Sequence, residues 1–110
     1  MADVLTAARE RIADLEQWVQ GCAGRLADGE PLDEGWEPGA VRWCMAGAVE
    51  AEVGHSIRFW PLEEADDLGR LLTEGTGQAD EAIGPWNDNH GHDEVLAAFD
   101  RAIELAEAAA

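Results

Sequence analysis

The chain has 110 residues, with 24 acidic side chains, seven arginines, no lysine and a formal net charge of −17 at pH 7. This length fits a single domain over residues 1–110. The charge argues against direct binding to nucleic acid or to an anionic membrane, and it favours a protein partner with a basic surface. Because we find neither a membrane-spanning stretch nor a signal peptide, we expect a cytoplasmic protein with reduced thiols.

The first helix is predicted over residues 3–21, where apolar side chains recur at helical spacing. Gly21 and Gly24 provide positions at which this helix can end. The next stretch, 25–39, is rich in glycine, proline and acidic residues, which predicts a long loop around Trp36. Its acidic residues are Asp28, Glu30, Asp33, Glu34 and Glu37.

Three more helices are predicted over residues 40–53, 61–74 and 92–107. Gly54 suits the end of the second helix, and Gly47 inside that helix would let another helix approach closely. With two long connectors between the helices, the pattern predicts an all-α fold, a compact bundle of about four helices.

The second connector ends at Pro85, which we expect to break the chain before the last helix. The polar stretch 87–93 follows, and it admits four interpretations. The first is structural, with one of its turn-forming side chains capping the last helix. The side chains suited to this are Asn87, Asp88, Asn89 and Asp93.

Two interpretations make the protein a small hydrolase. In one of them Asp88, His90 and His92 bind a metal ion, with Asp93 and the more distant His55 as further candidate ligands. In the other, Cys44 is the nucleophile, His92 or His90 the general base, and Asp88 or Asn87 the group that orients the base. The apolar neighbours of Cys44 are typical of a buried, unreactive thiol and argue against the cysteine mechanism.

The fourth interpretation is a binding surface, and it leads to the function we expect: a non-enzymatic binding or accessory protein without a cofactor. Its partner would be a basic protein, and a homo-oligomer is also compatible with the sequence. A GC-rich genome or a salt-adapted host would also produce an acidic chain. The residues expected to form the surface are Trp36, Trp86, Glu34, Glu37, Glu63, Glu64, Asp66 and Asp67, with Asp28, Glu30 and Asp33 in the same loop as Trp36.

Three marks of the sequence are Trp43-Cys44 followed by Gly47-Ala48, Trp86-Asn87-Asp88, and Phe99-Asp100-Arg101-Ala102-Ile103 in the closing helix. Together they resemble a family of small proteins of unknown function from actinobacteria and their phages. The resemblance implies a GC-rich bacterial or phage source and a helical fold, and it transfers no catalytic residue. Combined with the acidic charge, a phage source makes a basic host protein the sharpest form of the expected partner. The resemblance also implies that Trp43, Cys44, Asn87 and Asp88 form one structural unit.

Overall fold

The computed structural model describes residues 2–54, 70–77 and 83–108. The first of these ranges holds helix α1, a short 3-10 helix, three strands and helix α2. The other two ranges hold three further helices. In chain order the elements are α1 (Ala2–Arg11), the 3-10 helix (Leu15–Gln17), β1 (Gly24–Leu26), β2 (Pro31–Leu32), β3 (Ala40–Trp43), α2 (Met45–Val53), α3 (70–76), α4 (Ile83–Asn89) and α5 (His92–Ala108).

The all-α prediction is wrong, because the described residues include a three-stranded antiparallel sheet with the strand order β2-β1-β3. Gly24 of β1 lies opposite Leu32 on one side and opposite Trp43 on the other. The strands escape detection because they are only two to four residues long. Alternation of apolar and polar side chains needs a longer run before it can be recognised.

The predicted helix over 3–21 is wrong beyond Arg11, where α1 ends. Asp14 then starts the 3-10 helix, because its carboxylate accepts the backbone N–H of Glu16 at 3.0 Å. Beyond this turn the chain runs beside β3, and the N–H of Val19 donates to the carbonyl of Trp43 at 3.1 Å. The apolar residues that looked like the end of a helix therefore flank the sheet.

The predicted helix over 40–53 is wrong for its first four residues, which form β3. Cys44 separates the two elements as the N-cap of α2. Gly54 ends α2 in the left-handed conformation with φ 80°, which confirms its expected role. Of the predicted helix over 61–74, residues 70–74 are helical and 61–69 lie outside the described residues.

The last helix occupies His92–Ala108, close to the predicted 92–107. Ahead of it, Pro85 does not break the chain as expected, since it is the third residue of α4. Proline is tolerated in the first turn of a helix, where its missing N–H has no partner within the helix. None of the helices in the described ranges combines the length and apolar character needed to cross a bilayer.

The core lies between α1, α2 and α5, with α3 and α4 contributing at one side. Burying each large apolar side chain stabilises the fold by about 1.5 to 3 kcal/mol. Trp43 and Trp86 are buried in the core, and the largest side chains buried completely are Leu5, Ile12, Met45, Val49, Leu72, Val95 and Phe99.

Two glycines bring the backbones of the sheet, the β2–β3 loop and α2 into direct contact. A Cβ on Gly47 would overlap the carbonyl of Ala23, and a Cβ on Gly35 would overlap the carbonyl of Gly47. Gly47 was expected to admit a neighbouring helix, but the neighbours are the segment before β1 and the loop. This glycine in the first turn of α2 thus fixes how the helix packs against the segment before β1.

We expect Gly47→Ala to lower the free energy of unfolding by about 2 to 3 kcal/mol, because the added methyl group forces backbones apart. Helix propensity alone would change it in the opposite direction, by about 1 kcal/mol. Gly91→Ala is the control, since a Cβ there meets only the far end of the Glu94 side chain, at 4.0 Å. Urea unfolding of both variants measures the effect, and a Gly47→Ala variant as stable as wild type would contradict the packing argument.

Candidate functional site

The side chain of Asn87 is fully buried and joins three parts of the chain. Its Oδ1 accepts the indole N–H of Trp18 at 2.8 Å and the backbone N–H of Met45 at 3.1 Å. Its Nδ2 donates to the carbonyl of Val19 at 3.1 Å. One amide therefore ties α4 to the start of α2 and to the segment that follows the 3-10 helix.

Gln20 caps the C-terminal end of α4. Its Nε2 lies within 2.9 to 3.1 Å of the carbonyl oxygens of Asn87, Asp88 and His90. These are carbonyls that the helix itself cannot pair, because it ends there. The carboxylate of Asp88 in turn accepts the N–H of Gly21 at 2.7 Å. Trp18 and Gln20 were missed in the sequence because their partners lie some 67 to 70 positions away.

Both histidines of the predicted cluster donate to backbone carbonyls. Nδ1–H of His90 donates to the carbonyl of Trp86 at 2.7 Å, and the His90 ring stacks on the Trp86 indole with centroids 4.1 Å apart. Nε2–H of His92 donates to the carbonyl of Ile12 at 2.6 Å. Since a carbonyl only accepts, each ring has one nitrogen committed to a structural hydrogen bond.

The first turn of α5 is held by residues outside the set predicted to cap it. Val95 donates its N–H to the carbonyl of Gly91 at 3.0 Å, and Glu94 accepts the Gly91 N–H at 3.5 Å. Asn87 instead bonds the first turn of α2, so the capping prediction was placed on the wrong helix. Asn87, Asp88 and Asn89, which were predicted as capping residues of α5, belong to α4.

Cys44 is buried, and its Sγ accepts the N–H of Gly47 at 3.2 Å. Burial raises the pKa of the Cys44 thiol from its ordinary value of 9.0 to about 11, although hydrogen bonds from the backbone of Gly47 and Ala46 oppose the rise. The thiol stays protonated at neutral pH, whereas a nucleophilic cysteine needs a thiolate. With His90 and His92 bonded to carbonyls, this geometry argues against cysteine catalysis.

The predicted metal ligands do not converge within the described ranges, where no group of three histidine, cysteine, aspartate or glutamate side chains could hold an ion. Asp88 bonds Gly21 while His90 and His92 bond separate carbonyls. His55 lies outside the described residues.

Trp36 and its neighbours form a second candidate site, in the loop between β2 and β3. The Trp36 side chain is 43% exposed, yet the preceding Gly35 is buried. The N–H of Gly35 donates to the buried carboxylate of Glu50 at 3.0 Å, and its carbonyl accepts the indole N–H of Trp43 at 3.0 Å. The loop is thus anchored directly beside an outward-facing indole.

The acidic loops, which we define as residues 27–30 and 33–39, carry the predicted acidic residues near Trp36. Two carboxylates also shape the loops, since Asp28 accepts the N–H of Glu30 and Glu37 accepts the N–H of Glu34, both at 3.0 Å. Asp28, Glu30 and Asp33 are exposed, whereas Glu34 and Glu37 are half-buried.

Trp86, predicted to be part of an exposed patch, is buried, with 3% of its surface accessible. The other predicted binding residues, Glu63, Glu64, Asp66 and Asp67, lie outside the described residues.

Residues 1–105 match the model of a family of unknown function, DUF6197. The chain belongs to this family. A match over nearly the whole chain agrees with the resemblance to a family of unknown function, and membership in DUF6197 assigns no activity to any residue. No curated protein and no solved structure matches the sequence.

We expect Asn87→Ala to lower the free energy of unfolding by about 3 kcal/mol, because the buried N–H of Met45 and the half-buried Trp18 and Val19 lose their hydrogen bonds. Asn89→Ala, two residues along the same helix, is the control. Asn89 is exposed and donates to the carbonyl of Pro85, so its loss should stay below about 1 kcal/mol. Chemical unfolding measures both, and equal losses would mean that Asn87 has no special role.

Cys44 gives stability a dependence on alkaline pH. Between pH 9 and 11 the thiol ionises in the unfolded chain but stays protonated in the folded one. The contribution is complete below pH 9 and falls by about 2 to 3 kcal/mol as the pH rises towards 11. Cys44→Ser keeps an acceptor for Gly47 and does not titrate, so the stability difference between wild type and this variant should change in that window. A constant difference would contradict the prediction.

Proposed function

We propose that this protein is a non-enzymatic binding protein that uses the acidic loops and Trp36 to capture a basic surface on a protein partner. The observation that carries the proposal is the half-exposed indole of Trp36 beside the anchored Gly35. A large aromatic side chain presented by a rigid segment binds with little loss of conformational entropy.

The charge around Trp36 sets the chemistry of the partner. The exposed carboxylate of Asp33 lies in the same loop as the indole, and those of Asp28 and Glu30 lie in the loop between β1 and β2. A lysine or arginine of the partner could contact both a carboxylate and the indole, because the face of an indole attracts cations. The net charge of −17 adds a long-range attraction that speeds association and weakens as salt rises.

The enzyme alternatives rank below this proposal because the candidate catalytic side chains are engaged in structural bonds. Asp88, His90 and His92 each bond a different backbone group, and Cys44 caps α2. The sharpest form of the proposal is a phage-encoded chain acting in the bacterial cytoplasm on a basic host protein. The free thiols of Cys22 and Cys44 suit a reducing compartment.

The test is capture of a partner by the immobilised chain from an actinobacterial lysate, followed by purification of that partner and calorimetry. A loop variant carries Asp28→Asn, Glu30→Gln, Asp33→Asn and Glu37→Gln, which keep the acceptors that shape the loops. We expect it to bind at least about tenfold more weakly, a loss of roughly 1.4 kcal/mol. Trp36→Ala should weaken binding similarly while leaving the thermal unfolding midpoint unchanged.

The matched control carries Glu10→Gln, Glu16→Gln, Glu104→Gln and Glu107→Gln, which remove four exposed charges elsewhere. It should bind within about twofold of wild type, apart from a small loss of long-range attraction. If both variants lose affinity equally, only the net charge matters and the acidic loops are not the site. If neither loses affinity, the proposal is wrong.

A further inference from the structure

Two arginines face each other across the outer side of the sheet. Arg25 of β1 lies directly opposite Arg42 of β3. Residues in such positions point to the same face, with Cβ atoms about 4.5 to 5.5 Å apart. The neighbouring pair, Gly24 and Trp43, is buried and lies on the other face. The side chains of Arg25 and Arg42 therefore lie on the same outer face, where Arg42 is exposed and Arg25 half-buried.

Neither arginine forms an ion pair in the described part of the chain. Arg25 donates from Nη1 to the carbonyl of Gly29 at 2.7 Å, and the guanidinium of Arg42 has no hydrogen-bond or ion-pair partner among the described residues. Three of the other described arginines pair with carboxylates: Arg9 with Asp100, Arg11 with Glu52 and Arg70 with Glu74. Arg101 instead donates to the carbonyl of Gly75 at 2.6 Å.

The arrangement works against stability, since like charges directly opposite each other destabilise a sheet. Proteins keep such locally destabilising arrangements mainly at functional sites, so the pair points to a function of these two arginines. The hydrogen bond from Arg25 to Gly29 also fixes the direction of one guanidinium. That guanidinium keeps its other N–H donors for a ligand.

We propose that Arg25 and Arg42 bind a single oxyanion, a phosphate or carboxylate group, between their guanidinium groups. The planar fork of N–H donors in arginine matches the oxygens of both groups. Two forks at the spacing of a cross-strand pair can hold one anion from two sides. Because the net charge of −17 repels polyanions, the site suits an isolated oxyanion and not a nucleic acid.

The test titrates inorganic phosphate, and separately acetate, into the intact protein at constant ionic strength. Backbone amide NMR shifts of β1 and β3 report binding. In wild type we expect saturable shifts confined to these strands. Arg42→Gln should raise the dissociation constant at least tenfold, and Arg42→Lys should raise it too, because lysine keeps the charge but not the fork. Arg70→Gln, which removes an exposed arginine elsewhere, should bind like wild type.

A second readout separates this site from a general effect of salt, since phosphate stabilises many proteins without a site. Phosphate should raise the unfolding midpoint of wild type more than that of Arg42→Gln. Without anion, the variant should be at least as stable as wild type, because it removes the repulsion between the two arginines. Saturation by phosphate alone, by acetate alone or by both identifies the group that the site accepts. Saturable shifts that are identical in Arg42→Gln, or absent with both anions, would overturn the proposal. Should Arg42→Gln fail to fold, Arg25→Gln serves the same comparisons.

Discussion

The buried amide of Asn87 is the interaction on which the rest of the structure depends. It supplies one acceptor shared by Trp18 and Met45 and one donor to Val19, so three segments meet at a single side chain. Leaving such groups unpaired in the interior would cost more than their hydrogen bonds contribute. The amide thereby fixes the start of α2, from which Glu50 reaches the β2–β3 loop and anchors the candidate binding surface.

Sequence patterns located the long amphipathic α5 and the end of α2 at Gly54, because both signals lie within a few neighbouring residues. They missed the sheet, whose short strands are specified by pairing between distant segments. Asn87 and Cys44 were selected by residue type, but their roles depend on the fold. Trp36 stood out by its place in an acidic loop, whereas the anchoring of Gly35 by Glu50 and Trp43 has no local signature.

The structural role and the proposed binding role are divided between two regions of the molecule. The polar stretch around Asn87, His90 and His92 resembles an active site in composition, but its hydrogen bonds connect elements of the fold. The loop around Trp36 has no residue types typical of an active site, yet it presents an indole and carboxylates on a supported backbone. In this family member, the polar stretch that resembles an active site in composition holds the elements of the fold together.

The long sequence separation of the Asn87 contacts has a consequence for how the chain folds as it is synthesised. The partners of Asn87 lie 42 to 69 residues earlier, so they leave the ribosome well before it does. Until then the indole of Trp18 and the N–H of Met45 lack the partner that they have in the folded chain. Contacts this distant slow folding, because a long loop must close before they form. The first turn of α2 and the segment at Trp18 therefore gain these hydrogen bonds only after α4 has been synthesised, and before that the nascent chain is more exposed to proteolysis and to chaperone binding.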